Sequence, residues 1–385
     1  MAVQSGLNAQ IGFATETTTN TPATPTLFLP FVDESLSVVL GRAESNARFA
    51  GRRVMDSAQW NGGINEVGGD VGLELYDRGL GRIFRHMMGA VNTTGAGPYT
   101  HTFTPGSLSG LSFTVQVGVP GEAAVIPKTI SGAKISSWEL AFAAGEYSTL
   151  GLSIVGQSYQ EGSRQVTDGV TTNTDATVTS ATAAFTAADV GASISGTGIP
   201  AGTKIASINS ATSVELTANA TASATGRTFT IGVPLATASY PSGLNPLKFN
   251  HGTITLAGAD QAYVKSGSIS ADNALSTDRA YIGTTDIAEP IENDLRDYAF
   301  SLTVQYEGAT NYRTAKAGDE VAFVLDFTLG TNSVTATANV RIDEIATSTN
   351  GRDVVEQTLS GKIIGDGTDA DGLTIVLVNG DSSAT

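Results

Sequence analysis

The sequence predicts an all-β protein: a β-sandwich or barrel with one flanking α-helix and a small inserted β-sandwich-like module. Three observations carry that expectation. Between Ser131 and Gln157 the chain reads SGAKISSWELAFAAGEYSTLGLSIVGQ, in which Trp138, Leu140 and Phe142 alternate with Ser137, Glu139 and Ala141. After a turn at Ala144–Glu146, Leu150, Leu152 and Ile154 alternate with Thr149, Gly151 and Ser153, so both strands repeat with period two. The composition agrees: 44 glycines among 385 residues and only 15% charged side chains describe many turns joining many strands. Third, one segment alone has a clear helical period. In DRGLGRIFRHMMG, Leu80, Ile83, Phe84, Met87 and Met88 fall on one face and Arg78, Arg82 and Arg85 on the other.

That helix is expected over 77–89, with Asp77 as N-cap and Gly89 as C-terminal stop. The methionine pair belongs to the apolar stripe and reads as core packing, while His86 lies nearer the polar side and reads as solvated or interfacial. Residues 1–30, rich in Thr, Pro and Asn, read as an extended arm or edge segment. Between Gly41 and Arg53, Arg42, Arg48, Arg52 and Arg53 face a single acidic residue, Glu44, a local positive cluster in a chain of net charge −16. It reads either as a solvated loop or as a loop that docks on an acidic surface, such as another copy of the chain. From about Val166 to Gly232 bases are almost absent and five short strand candidates alternate with turns such as GTGIPAG. This stretch is expected to be a compact module inserted in an exposed loop of a host domain. The division expected is 1–165 and 234–385 for the host and 166–233 for the insert. In the second host segment, DYAFSLTVQYEG alternates again, with Ser301, Thr303 and Gln305 on its small polar side.

Charge and residue usage narrow the function. With 37 acidic against 21 basic side chains the chain repels polyanions, so tight nucleic-acid or anionic-membrane binding is not expected. There is no cysteine, and the three histidines, His86, His101 and His251, are scattered, so neither a zinc site nor a Ser-His-Asp arrangement is indicated. No P-loop occurs, and no apolar run approaches membrane-helix length. Aligned to a calcium loop, DGTDADG (366–372) leaves Gly367 at the first ligand position and Val378 at the twelfth, so it reads as a solvated turn. No catalytic, cofactor or metal residue is therefore assigned, and an enzyme is not expected. The N-terminus has no basic, apolar leader, and the expectation is synthesis in the cytoplasm followed by solubility or assembly there.

The order of features resembles the tail tube (major tail) proteins of long, non-contractile-tailed bacteriophages. The resemblance is carried by Gln10-Ile11-Gly12-Phe13-Ala14-Thr15-Glu16-Thr17, then FLPFVDESL, the Arg-bearing loop, GLGRIFRHMMG and SGAKISSWELAFAAGEYSTLGLSIVG, and covers 1 to about 160 and 235–385. It implies a β-sandwich subunit, six copies to a ring, and rings stacked around a channel for DNA, assembled in the host cytoplasm into a virion tail. Tape-measure, tail-terminator and tip proteins are the partners it implies. On this reading Ser137, Glu139, Ala141, Thr149, Gly151, Ser153, Ser301, Thr303 and Gln305 face the channel, and the apolar sides of the same strands pack beneath the helix. Arg42, Arg48, Arg52 and Arg53 meet acidic side chains of the neighbouring ring, with 286–297 (Asp286 to Asp297) as candidates. The insert resembles modules that decorate such tubes outside, and the expectation is that it makes weak contacts with host glycans or only stabilises and solubilises the tube. The competing expectation is a cell-surface, glycan-binding β protein, or another virion component such as a tail terminator.

Overall fold

The computed structural model describes residues 5–122, 124–349, 353–365 and 367–384; Asp366 of the acidic turn lies outside them. The chain is mostly antiparallel strand, divided between two compact units, each assembled from three stretches of sequence.

The first unit comprises Met1–Phe28, Ser112–Ala133 and Gly156–Ser239. Gln10–Thr15, expected as part of an extended arm, is an inner strand: it pairs with Phe113–Pro120 on one side and Leu27–Phe28 on the other. Ile11, Phe13 and Ala14 are all buried, which the segment's Thr- and Pro-rich surroundings conceal. The Glu16 that follows is buried too. Its carboxylate accepts from Ser112 Oγ (2.7 Å), Thr114 Oγ1 (2.8 Å), Gly132 N (2.9 Å) and Asn20 N (2.9 Å), tying three stretches of chain together.

Within this unit, Ser163–Gly232 forms a sheet of its own with six strands, one more than the sequence suggests. Its ends meet, because Ser163 and Gly232 are register partners. The sheet also closes on itself: Ile194 N donates to Thr203 O and Ile205 N to Ala192 O, both at 3.0 Å, so the two outer strands join. Closure removes the free edges that would otherwise recruit foreign strands. Val166, Val178, Phe185, Ile194, Val214 and Phe229 fill the interior. Gly169 is required there, since a Cβ would sit 2.0 Å from the Phe229 ring.

The second unit, Leu29–Leu111, Lys134–Val155 and Tyr240–Thr385, carries the alternating hairpin. Its main sheet runs from Thr149–Gly156 through residues 134–143, Val264–Asp272, Asp297–Gln305 and Glu356–Ile363 to the C-terminal half of Asn332–Ser348. The N-terminal half of that last, 17-residue strand pairs instead with Leu373–Asn379, followed by Tyr99–Pro105 and Gly89–Thr94. Phe300–Phe323 (5.9 Å) and Phe142–Phe327 (6.3 Å) ring contacts join the buried side of the main sheet to Glu320–Leu329.

The helix spans Gly81–Met88, four residues later than Asp77. Asp77 does not cap it; the carboxylate is buried and instead accepts from Asn245 N and Nδ2 and from Asn332 Nδ2. Gly89 ends the helix as expected, with φ 99° and its N–H on Arg85 O. The apolar stripe is fully buried, with Phe84 edge-to-face on Phe103 at 5.5 Å. Buried Asn273 Nδ2 donates to Met87 O (3.3 Å) and Ile135 O (2.9 Å), fastening the helix end to the hairpin strand. Two further short helices, Thr310–Ala317 and Asp369–Gly372, have no apolar stripe to announce them.

His86 is buried rather than solvated, 3% exposed. Burial, helped by the charges of Arg85 and Arg82, lowers its pKa from 6.5 to about 3, so it is neutral in the fold. The unfolded chain takes up a proton near the ordinary value and the folded chain does not. Stability is therefore complete above about pH 6.5 and is lost progressively as pH falls toward about 3. Between pH 6.5 and 5, where carboxylates stay ionised, urea unfolding of the parent should lose roughly 1–2 kcal/mol that His86→Gln does not. Parallel pH profiles for the two proteins would show the histidine to be protonated in the fold.

Candidate assembly surfaces

The main sheet of the second unit has two unlike faces because every strand alternates in register with its neighbours. Trp138, Leu140, Leu150, Leu152, Ile269, Phe300, Leu302 and Leu359 are 3% exposed or less. Opposite them the rows read across the strands. Gly151, Glu139, Ser270, Ala299 and Lys362 form one row; Thr149, Ala141, Ser268, Ser301, Ser360 and Glu344 form the next. All nine residues expected on the polar side (Ser137, Glu139, Ala141, Thr149, Gly151, Ser153, Ser301, Thr303 and Gln305) lie on this one face, half-buried or exposed. The structure adds Ser266, Ser268 and Ser270 between them, from a strand whose S-G-S-I-S alternation was legible but not used.

The electrostatics of the face are one-sided. Lys362 pairs with Asp297, Lys265 with Glu356 (2.6 Å) and Arg341 with Asp343 (2.7 Å), so each of these cations is engaged. Hydrogen bonding and the charge of Arg341 hold the Asp343 carboxyl below its usual range. Glu139, Asp272 and Glu344 have no ion-pair partner among the described residues. A concavity of about 520 Å³ on this face has Asp33, Asp70, Glu139, Asp272 and Asp297 around it. Among the described residues no group of acidic side chains or histidines is close enough to hold a metal. The face is small, polar, acidic and poor in unpaired cations.

The arginine loop is an arm. Ser37–Val39 pairs with Glu66–Gly68, and beyond them Arg42–Glu44 pairs with Trp60–Gly62 as an isolated two-stranded ribbon. At its base Asn65 N donates to Thr285 O (2.8 Å). Arg42 lies 5.4 Å from the Trp60 ring centre; Arg52 lies 5.8 Å from Phe49 and pairs with Asp56. Arg48 and Arg53 form no ion pair among the described residues, and all four arginines are exposed. The tip also leaves Phe49, Val54 and Met55 exposed by 55%, 82% and 47%.

The acidic segment 286–297 is largely committed within the chain. Lys134, its ammonium buried, donates to Glu289 Oε1 (2.5 Å) and Leu108 O (2.6 Å), and Gly110 N donates to the same carboxylate (2.6 Å). Burial pushes Glu289 up, but these hydrogen bonds and the Lys134 charge prevail and hold it below the usual range. Glu292 pairs with Arg296 (2.6 Å) and Asp297 with Lys362. Asp294 accepts a hydrogen bond from Leu295 N (2.7 Å) and forms no ion pair among the described residues. Sequence spacing could not reveal these commitments, because Lys134 lies 155 residues from Glu289.

The second unit thus presents a two-faced sheet with an acidic polar side, and a basic, partly apolar arm. No curated protein matches the chain. The family model described as phage tail tube protein matches it over residues 6–223 and 206–363. The chain belongs to the phage tail tube protein family, and its role is that of a structural subunit that assembles with itself into the tube of a virion tail.

Proposed function

We propose that the polar face of the main sheet is the inner wall of the tube, a negatively charged channel for DNA, in rings of six copies stacked along a long non-contractile tail. The observation that carries this is the continuous face of Ser, Thr, Ala and Gly across six registered strands, opposite an equally continuous buried face. The charged side chains set among them are unequal in kind: Lys362, Lys265 and Arg341 are each ion-paired, whereas Glu139, Asp272 and Glu344 form no ion pair among the described residues. Short side chains keep a bore wide. A wall whose cations are paired has little for phosphates to displace, so DNA slides without the counterion release that drives adhesion. The arm supplies the contact along the tube axis through Arg48 and Arg53, and the Ser163–Gly232 sheet decorates the outside. Tape-measure, terminator and tip proteins are the further partners of such a tube.

Topology of the assembled tube tests the wall. The chain has no cysteine, so Ser301→Cys and Val190→Cys each introduce a single thiol. A maleimide carried on a folded protein should label both in free subunits. In assembled tubes it should label only Val190→Cys, on the Ser163–Gly232 sheet, with Ser301→Cys shielded at least tenfold. Equal labelling of Ser301→Cys in intact tubes removes the wall.

The arm is tested by charge reversal. Arg48→Glu with Arg53→Glu should leave a folded subunit whose critical concentration for polymerisation rises by about a hundredfold or more, from two charge-assisted contacts of about 1.5–3 kcal/mol each. Sedimentation reads the change, and polymerisation at the parent's concentration would eliminate the arginine contacts.

The insert is tested by removal. A short Gly-Ser link joining Gly162 to Val233 should give tubes of the same inner diameter and a narrower outer one by negative-stain microscopy. Failure to form tubes would place the insert in the subunit contact instead.

A further inference from the structure

We infer that the apolar groove at the turn end of the main sheet is the receptor for the arm tip of a second copy. This rests on the tube reading and supplies what that reading leaves open, the surface on which the arm lands. The groove, about 410 Å³, is lined by Phe142, Phe249, Ile254, Val264, Leu325 and Phe327. Phe142 and Phe327 meet edge-to-face at its floor. Gly252 opens one wall, since a Cβ there would stand 2.9 Å from the Phe327 ring. Phe249, held by a hydrogen bond from its N–H to Glu146 O (3.1 Å), is 48% exposed. A cleft of this size with an unburied aromatic at its lip takes one or two apolar side chains.

Charge and position select the occupant. Asp260 borders the groove and Glu146 adjoins Phe249, and neither forms an ion pair among the described residues, while Lys265 in the lining is paired with Glu356. The arm is their complement: Arg42, Arg48, Arg52 and Arg53 outnumber Glu44 and Asp56, and Val54 and Met55 stand exposed beside Arg52 and Arg53. Val54 and Met55 enter the cleft, with Arg53 toward Asp260 and Arg48 toward Glu146. The arm leaves the sheet at the end away from its own groove, since its strand runs from Leu75, whose N–H donates to Ser148 O beside the turn, back to Gly68. Its root, Gly68, stands against Ile154, which faces Ile135 at the open end of the hairpin, whereas the groove begins at Phe142 beside the turn. Seven residues of strand separate them, about 23 Å. Complementary surfaces at opposite ends of one sheet make a head-to-tail contact that leaves one arm and one groove unsatisfied at each step, so it propagates.

Cross-linking tests the pairing in the full-length chain. Val54→Cys together with Phe249→Cys, assembled and oxidised, should run as a ladder of multimers on a non-reducing gel. Either substitution alone should run as monomer, and an equal mixture of the two single variants should stop at dimers. Independently, Val54→Asp and Phe249→Asp should each raise the critical concentration at least tenfold, and the pair together no more than the worse single variant, because both break one contact. A dimer band from either single variant overturns the pairing, as do additive effects of the aspartates. Tubes of the double-cysteine protein without a ladder overturn the groove assignment and leave the tube reading intact. A parent protein that forms no tubes overturns the tube reading and this inference with it.

Discussion

The second unit depends on one constraint: its broad sheet buries only one of its faces inside the subunit. In an antiparallel sheet successive side chains point to opposite sides, so a strand placed in register commits every second residue to the core. Here six strands share that commitment, and a slip of one residue in any of them would put Trp138, Ile269 or Phe300 outside and serines inside. The register is thereby strongly specified, and the polar face follows as its complement. What that face carries is then free to answer to assembly instead of folding.

The same division explains where the costly polar interactions lie. Buried ionisable and amide groups sit at the joints between elements, not on the polar face. Asn273 joins the helix to the hairpin, Asp77 gathers Asn245 and Asn332, and Lys134 anchors the 286–297 segment through Glu289. The Asn273 side chain is held through Nδ2 alone, whereas Asp77 and Lys134 are each enclosed by several partners, the condition under which a buried polar group stabilises rather than destabilises. Glu16 does the same in the first unit. On the outward side, ion pairs such as Lys265–Glu356 are exposed and contribute little to stability. Their effect is to leave the face without an unpaired cation among the described residues.

The arm follows the opposite logic. Its two-stranded ribbon has no core of its own, and such a ribbon is marginal in water. Stacking of Arg42 on Trp60 and the Asp56 capping of Ser57–Gln59 give it local order. The exposure of Val54 and Met55 gives it something to lose on contact with a partner.

Much of this was legible in the sequence because it is local. Period-two alternation marked the hairpin and its two faces, the 3.6-residue period and Gly89 marked the helix and its end, and the arginine cluster marked the arm. The parts that were not legible share a physical cause: they are set by partners distant along the chain. Asp77 has the spacing of an N-cap, yet is claimed by Asn245 and Asn332; His86 has the spacing of a polar-side residue, yet tertiary packing closes over it. Gln10–Thr15 looked like loose chain until two strands were found on either side of it. Local periodicity thus determined which residues turn toward a core and which away. Only the tertiary structure decided which carboxylates are already spent, which strands are inner, and that arm and groove stand at opposite ends of one sheet, because those are relations between segments that meet only when the chain folds.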